Sequence, residues 1–205
     1  DGSITSSVSA NTDSGFSIVN YTGNGVAGAT VGHGLSTAPK MIIVKNVTIN
    51  CNWKIYHASV GATKAGVFTN GVFDAEIYPW NNTEPTSSVF SLGTTPETNY
   101  SASSIIAYCF ADTSMIKCGS YTGNGSTDGT FVHLPFKPAF VMMKSPSNAS
   151  TQWVIKDNKR SGYNVVNNNL YPNLSDAEDN VASAYADLLS NGFKLRGTYS
   201  GTNAS

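Results

Sequence analysis

The chain has 205 residues, a net charge of −1 and a charged fraction of 12%, about half that of ordinary soluble domains. The near-neutral balance leaves no electrostatic footprint for nucleic acid or an anionic membrane, and no apolar run approaches the roughly 20 residues that span a bilayer. Aromatic residues at 11%, with many Val and Ile, exclude a disordered chain, because enough apolar surface is present to offset the entropy of ordering it. Solubility then rests on hydroxyls and amides, which suits an exterior β protein better than a metabolic enzyme.

Residues 1–14 read as an edge strand or connector alternating weakly around Ile4 and Val8. Phe16 to Tyr21 alternates apolar and polar and runs into Tyr21-Thr22-Gly23-Asn24-Gly25, a turn in which positive φ is cheap. Gly32-His33-Gly34 opens a loop that ends at Pro39. Met41-Ile42-Ile43-Val44 is continuously apolar, as in a strand covered on both faces. Trp53 to His57 alternates again, and Asn70-Gly71 between Val67-Phe68 and Val72-Phe73 points to a tight hairpin. Pro79 to Ser88 is an irregular loop. Val89 to Leu92 and Ile105 to Phe110 close the first half.

The five-letter turn then returns as Tyr121-Thr122-Gly123-Asn124-Gly125. Ala139 to Lys144 matches Lys40 to Lys45, Gln152-Trp153 matches Asn52-Trp53, and Phe193-Lys194-Leu195 answers Phe90-Ser91-Leu92. Matches at a nearly constant offset of about 100 residues mark a duplication, with a first repeat over 15–114 and a second over 115–205. The short apolar connection through Met115 points to one sandwich with a shared core. Ser175-Asp176-Ala177-Glu178 resembles a capping box, and Val181, Tyr185, Leu188 and Leu189 have helical spacing, which allows at most one short helix. Against that helix, Asn191-Gly192 signals a hairpin and favours strand. The expected fold is all-β: a sandwich, jelly-roll or lectin-like, of two tandem pseudo-repeats.

The second repeat reaches Ser205 without a counterpart of Ile105 to Phe110. The expectation is that the natural chain runs on into such a strand, or that Asp1 to Ser9 or a neighbouring subunit fills the gap. No signal peptide heads the chain, and Asp1 in place of Met points to processing or to a longer parent protein.

No catalytic, metal or cofactor constellation emerges. Cys51, Cys109 and Cys118 are odd in number and lack a C-x-x-C spacing, so a disulfide framework is not expected; Cys109 and Cys118 read as small buried hydrophobes. His33, His57 and His133 have no second ligand at metal-binding spacing. No Gly-x-Ser-x-Gly elbow supports a nucleophilic triad, and Asp128-Gly129 falls short of a Ca²⁺ loop. Asp74 with Glu76, or Glu178 with Asp179, offer carboxylate pairs whose commoner reading is solvated surface charge. Trp53 and Trp153, at matching repeat positions, read as core anchors. Tyr78, Trp80, Asn81 and Asn82 form the one candidate binding group: a ring platform beside amides stacks on a sugar, unless Trp80 pins its own loop.

Gly15 to Val19 leading into Tyr-Thr-Gly-Asn-Gly, Val31 to Leu35 with Ala38 to Lys45, Trp80 to Thr83, Ile106 to Ala111 and Ser190 to Gly197 together resemble a domain of unknown function common in structural proteins of marine bacteriophages. The resemblance covers nearly the whole chain. It implies a virion protein of the cyanophage type, in which such domains sit in tail fibres or other exterior appendages, and it brings no functional residues with it. The expected function is a non-enzymatic virion component on the particle exterior that takes part in host attachment. It would act as a homo-oligomer or with other virion proteins, with weak contacts to host surface glycan summed by avidity. The alternatives are a capsid decoration or head-fibre protein, and a glycan depolymerase.

Overall fold

The computed structural model describes residues 2–205, which fall into two compact units. Unit 1 holds the residues up to Val67 together with Phe73–Gly119; unit 2 holds Phe68–Val72 and Ser120–Ser205.

In unit 1 the order is β1 (Ser6–Asn11), β2 (Phe16–Thr22), β3 (Ala29–Gly32), β4 (Met41–Asn46), β5 (Lys54–His57), β6 (Lys64–Ala65), β7 (Asp74–Ala75), β8 (Val89–Leu92), the one-turn helix α1 (Pro96–Asn99) and β9 (Ser104–Phe110). An antiparallel sheet runs β1-β2-β9-β4-β5, and β3 pairs with β8 in a second ladder. Period-two alternation decides the faces. β2 buries Ser17, Val19 and Tyr21 while Ile18 and Asn20 face out, and β9 buries Ile105, Ala107 and Cys109. These side chains meet Ala29, Val31, Phe90 and Leu92 of the smaller ladder in one apolar cluster, so the unit is sandwich-like. Tyr21 meets Phe90 edge-on across that core at 6.1 Å. β4 is covered on both faces, with no residue from Met41 to Val44 more than 8% exposed, as its unbroken apolar run predicts.

Unit 2 contains β10 (Phe131–His133), β11 (Phe140–Met143), β12 (Val154–Asp157), a 3-10 turn at Ala182–Ala184, β13 (Ala186–Leu189), β14 (Gly192–Leu195) and the one-turn helix α2 (Ser200–Asn203). The ladders are β10-β14-β13 and β11-β12. β10 with β14 answers β3 with β8, and β11 with β12 answers β4 with β5. Tyr121 meets Phe193 edge-on at 5.9 Å, repeating the Tyr21–Phe90 contact. Even the isolated bridge of Ile55 to Gly66 has its counterpart in Ile155 to Leu170. Buried apolar side chains form one cluster within each unit.

The all-β class and the strands at 16–22, 41–46, 89–92 and 104–110 stand as read, and β1 is an edge strand. Four expectations need correction. Val67-Phe68 and Val72-Phe73 form no tight hairpin: Asn70-Gly71 tips a long loop closed by Lys64–Ala65 against Asp74–Ala75, and Thr69 Oγ1 accepts the Gly71 N–H. Residues 175–185 contain no α-helix, only the 3-10 turn and an isolated bridge of Asp179 to Asn169, while the Asn191-Gly192 hairpin signal holds, with Leu189 opposite Gly192. Two one-turn helices are present in place of at most one. Finally, the segment at the start of the chain does not complete the second repeat. Asp1 lies outside the described residues, Ile4 bridges to Val31 and β1 lies along β2, all within unit 1.

Candidate functional site

The repeated Tyr-Thr-Gly-Asn-Gly turn is half of a latch whose other half is a buried asparagine. Pro96 opens α1, a position where its missing N–H costs nothing, and the single turn delivers Thr98 and Asn99 to the interior, both 0% exposed. Asn99 Oδ1 accepts the N–H groups of Asn24 (2.9 Å) and Gly25 (3.3 Å). Its Nδ2 donates to the carbonyls of Val26 (3.0 Å) and Gly93 (2.8 Å). In unit 2, Asn203 Oδ1 accepts the Asn124 N–H (2.9 Å), and its Nδ2 donates to the carbonyls of Ser126 and Gly197, both at 2.8 Å.

The other letters of the motif follow from the same geometry. Tyr21 and Tyr121 donate their hydroxyls to the Thr98 and Thr202 carbonyls (2.7 and 2.6 Å). Asn24 and Asn124 accept the N–H two residues on, from Val26 and Ser126, closing an Asx-turn. Gly25 and Gly125 have φ of 71° and 65°, a left-handed conformation that glycine adopts without strain. A Cβ at Gly23 or Gly123 would collide with the carbonyl oxygen of Tyr100 or Ala204.

In unit 1 the latch also carries the candidate binding loop. Thr98 Oγ1 donates to the Pro79 carbonyl (3.2 Å), Gly93 N–H also donates to Pro79 and Thr94 N–H to Tyr78; any side chain at Gly93 would overlap the Tyr78 carbonyl. From below, Trp80 is 2% exposed and sits in the core, edge-on to Tyr56 at 5.9 Å. The Glu84 carboxylate accepts the Tyr56 hydroxyl and the Ala62 N–H, and burial together with Glu84 raises the Tyr56 pKa well above the phenolic value. Trp80 therefore pins the loop and presents no ring to solvent. Tyr78 (61% exposed), Asn81 and Asn82 are at the surface. Asn81 and Asn82 have φ near 50°, a conformation that Asn tolerates better than most side chains. Of the four candidate residues, three share an exposed, braced tip and the fourth is its root.

The remaining candidates have structural partners. His33 is fully buried: Nδ1 accepts the Leu35 N–H (3.1 Å), leaving Nε2 to donate to the Thr86 carbonyl (3.1 Å). Burial lowers its pKa, in keeping with a neutral ring that staples a loop. Burial also lowers the pKa of His57, whose Nδ1 accepts the Ser59 N–H. Glu76 pairs with the buried Lys54 at 2.6 Å and Glu178 with Arg160 at 3.3 Å. Asp179 accepts from Asn169 and Tyr171. Three of the four carboxylates are thus held by a cation, an amide or a phenol, and Asp74 is exposed.

All three cysteines are free thiols, and burial pushes those of Cys109 and Cys118 up to about 12. Trp153 is buried against the edge of Phe68 at 5.2 Å, as an anchor should be, whereas Trp53 is half-buried and stacks on Tyr108. Among the described residues no group of three His, Cys, Asp or Glu side chains converges as metal ligands. A hollow of about 240 Å³ in unit 2, lined by Phe68, Thr69, Asn70, Gln152, Asn173 and Leu174, is below the size of ordinary ligand pockets. Its Gln152 and Asn173 amides are already bonded to each other, and Asn173 also accepts the Trp153 N–H.

The latch residues Thr98, Asn99, Thr202 and Asn203 were missed by motif reading. Their signal was available: the pair Thr-Asn recurs 104 positions apart, in step with the drift of the other matches. Compared with known proteins, the whole chain, residues 1–205, matches a family described as a domain of unknown function, DUF7483, and belongs to it. No curated protein and no solved structure matches.

Proposed function

We propose that this member of the DUF7483 family is a non-enzymatic structural module of a bacteriophage virion, placed in a tail fibre or other exterior appendage and used in attachment to the host surface. The observation that carries the reading is the tip Tyr78-Asn81-Asn82. An aromatic ring and two amides stand exposed on a loop fixed by Trp80 below and by Thr98, Gly93 and Thr94 at the side. Preorganised aromatic and amide groups bind the faces and hydroxyls of a sugar with little ordering cost. A single tip of this size binds weakly, and display in several copies on an appendage converts that into useful avidity. The chain's buried polar side chains brace its own loops, which fits a scaffold, and the sequence resemblance to phage structural proteins supplies the setting.

The test has two parts. Labelling with antibody against the chain, viewed by electron microscopy, is expected on appendages; label on the capsid shell would replace this reading with a decoration protein. Surface polysaccharide from the bacteria that those particles infect is expected to bind the chain and to lose binding on Tyr78→Ala with unchanged folding. Release of reducing ends from that polysaccharide would overturn the non-enzymatic reading.

A further inference from the structure

Unit 1 is built round a strand, β9, that has no counterpart among the strands of unit 2, where residues 117–121, the match to β2, also form no strand. β9 runs between β2 and β4, paired along its length on both sides, and delivers Ile105, Ala107 and Cys109 to the core. In unit 2 the strand that answers β4 is β11, and it pairs with β12 alone. The Asn158 N–H donates to the Ala139 carbonyl, which fixes the alternation of the antiparallel ladder. The backbone groups of Val141 and Met143 face β12, and those of Phe140 and Met142 point away from it. In β4 the corresponding residues, Met41 and Ile43, stand opposite Phe110 and Tyr108 of β9.

Three further observations mark the same place. Phe140 is 56% exposed where Met41 is 7%. The Gly23 N–H donates to the Ser103 carbonyl just before β9, while the Gly123 N–H has no backbone acceptor among the described residues. The apolar cluster of unit 2 is fringed by half-buried Tyr121, Val132, Leu134 and Val141, whereas their counterparts in unit 1 (Tyr21, Val31 and Ile42 among them) are fully buried.

We propose that the free edge of β11 accepts an extended strand from a partner polypeptide, laid antiparallel to β11, with small or branched apolar residues at alternate positions on the face toward the core. Unit 1 is the template for this occupant: β9 puts Ile, Ala and Cys on that face and no charge. Main-chain bonds to Phe140 and Met142 give affinity, and the alternating side chains give register. A second copy of this chain is a poor donor, because its own strand of this pattern is already paired on both sides and would have to leave one sheet to complete another.

A labelled peptide with the sequence of Ser104–Phe110, carrying Cys109→Ala against oxidation and flanked by lysines for solubility, is titrated into the full chain. Saturable binding is expected, with slowed amide exchange at Phe140 and Met142. A peptide of the same composition with its apolar residues made adjacent should bind at least roughly tenfold more weakly. Met142→Pro removes an N–H that β12 does not use, at an edge position where proline is tolerated. It should leave the β11–β12 ladder protected and weaken the peptide by roughly tenfold, the worth of one backbone bond; if it unfolds, Phe140→Pro at the first position of the strand replaces it. Absence of saturable binding, equal binding of the rearranged peptide, or protection confined to β1 or β5 overturns the proposal. Concentration-dependent protection of Phe140 and Met142 without peptide would overturn it in favour of a second copy.

Discussion

Unit 1 gathers eighteen buried residues into its apolar cluster and unit 2 only seven, yet both carry the same turn, the same edge-on tyrosine–phenylalanine contact and the same buried asparagine. The difference separates two kinds of order. Core size follows the number of strands that can deliver side chains to it, and unit 2 lacks the central one. The loop end is held by directed hydrogen bonds from one amide, and three of the four are kept over the smaller core.

The sharpest way to break this comparison is to remove the amide from each unit. Asn99→Ala removes four side-chain hydrogen bonds and Asn203→Ala three, although the Gly25 N–H keeps the Asn99 carbonyl and the Val26 carbonyl keeps the Ala29 N–H. At roughly 1.2 kcal/mol for each, the costs are about 5 and about 3.5 kcal/mol. Amide exchange at Gly25 and Gly125 in each variant should rise only in the altered unit. A larger cost in unit 2 would mean that the latch, and not the core, carries that unit's stability.

Trp80→Ala tests a difference between the units. The chain of unit 2 passes Gly197 at Ser183, as unit 1 passes Gly93 at Tyr78, but then turns directly into β13. The aromatic–amide tip therefore exists once. Emptying the Trp80 site should cost about 4 kcal/mol and free the tip, so that unfolding midpoint and glycan binding fall together. Tyr78→Ala, at an exposed position, should lower binding alone.

Much of this was legible. Alternation placed β2 and β5, and the unbroken run Met41-Ile42-Ile43-Val44 placed a strand covered on both faces. Trp80 was not: a tryptophan between Pro79 and Asn81 reads equally as platform or anchor, and only contact with Tyr56 in a strand over twenty residues upstream decides it. Asn70-Gly71 misled because turn chemistry names the bend and not the ladder it closes. The latch escaped notice since a buried asparagine after one helical turn has no periodicity; it is visible only when the repeats are aligned beyond their hydrophobic matches.

A smaller effect comes from the pair Tyr56 and Lys156, at matching positions of β5 and β12. Tyr56 is satisfied by Glu84. Lys156 is 0% exposed, donates to the Val166 carbonyl at 3.2 Å and has its pKa lowered to about 8 by burial, partly offset by Asp179. Below pH 8 the amine is charged in both the folded and the unfolded chain, and folding bears the full cost of burying it. Between pH 8 and the free-lysine value of about 10.4 only the unfolded chain holds the proton, so stability rises with pH. Lys156→Met should be more stable than the native chain by on the order of 2 kcal/mol at pH 7, and denaturant titrations should show the gap closing by pH 10. Measuring the difference removes the opposing trend from Cys109 and Cys118, whose raised pKa values draw stability down as pH climbs above the free-thiol range.

The smallest effect lies at the ends of the two short ladders. His33 N–H donates to the Ser88 carbonyl just beyond β3, and Leu134 N–H to the Asn191 carbonyl just beyond β10, so the two residues hold equivalent places and only one can titrate. The His33 ring is neutral in the fold, with its pKa lowered by burial. As pH falls through about 6.5 the unfolded chain takes up a proton that the folded ring resists, and unit 1 loses stability. Protonation would also strip Nδ1 of its acceptor role toward the Leu35 N–H. Amide exchange at Leu35 is therefore expected to quicken between pH 7 and pH 5, after correction for intrinsic rates, while Leu134 keeps its protection. His33→Gln should flatten the response of Leu35. If Leu35 and Leu134 loosen together on acidification, His33 is not the cause, and the two ladder ends answer to something they share.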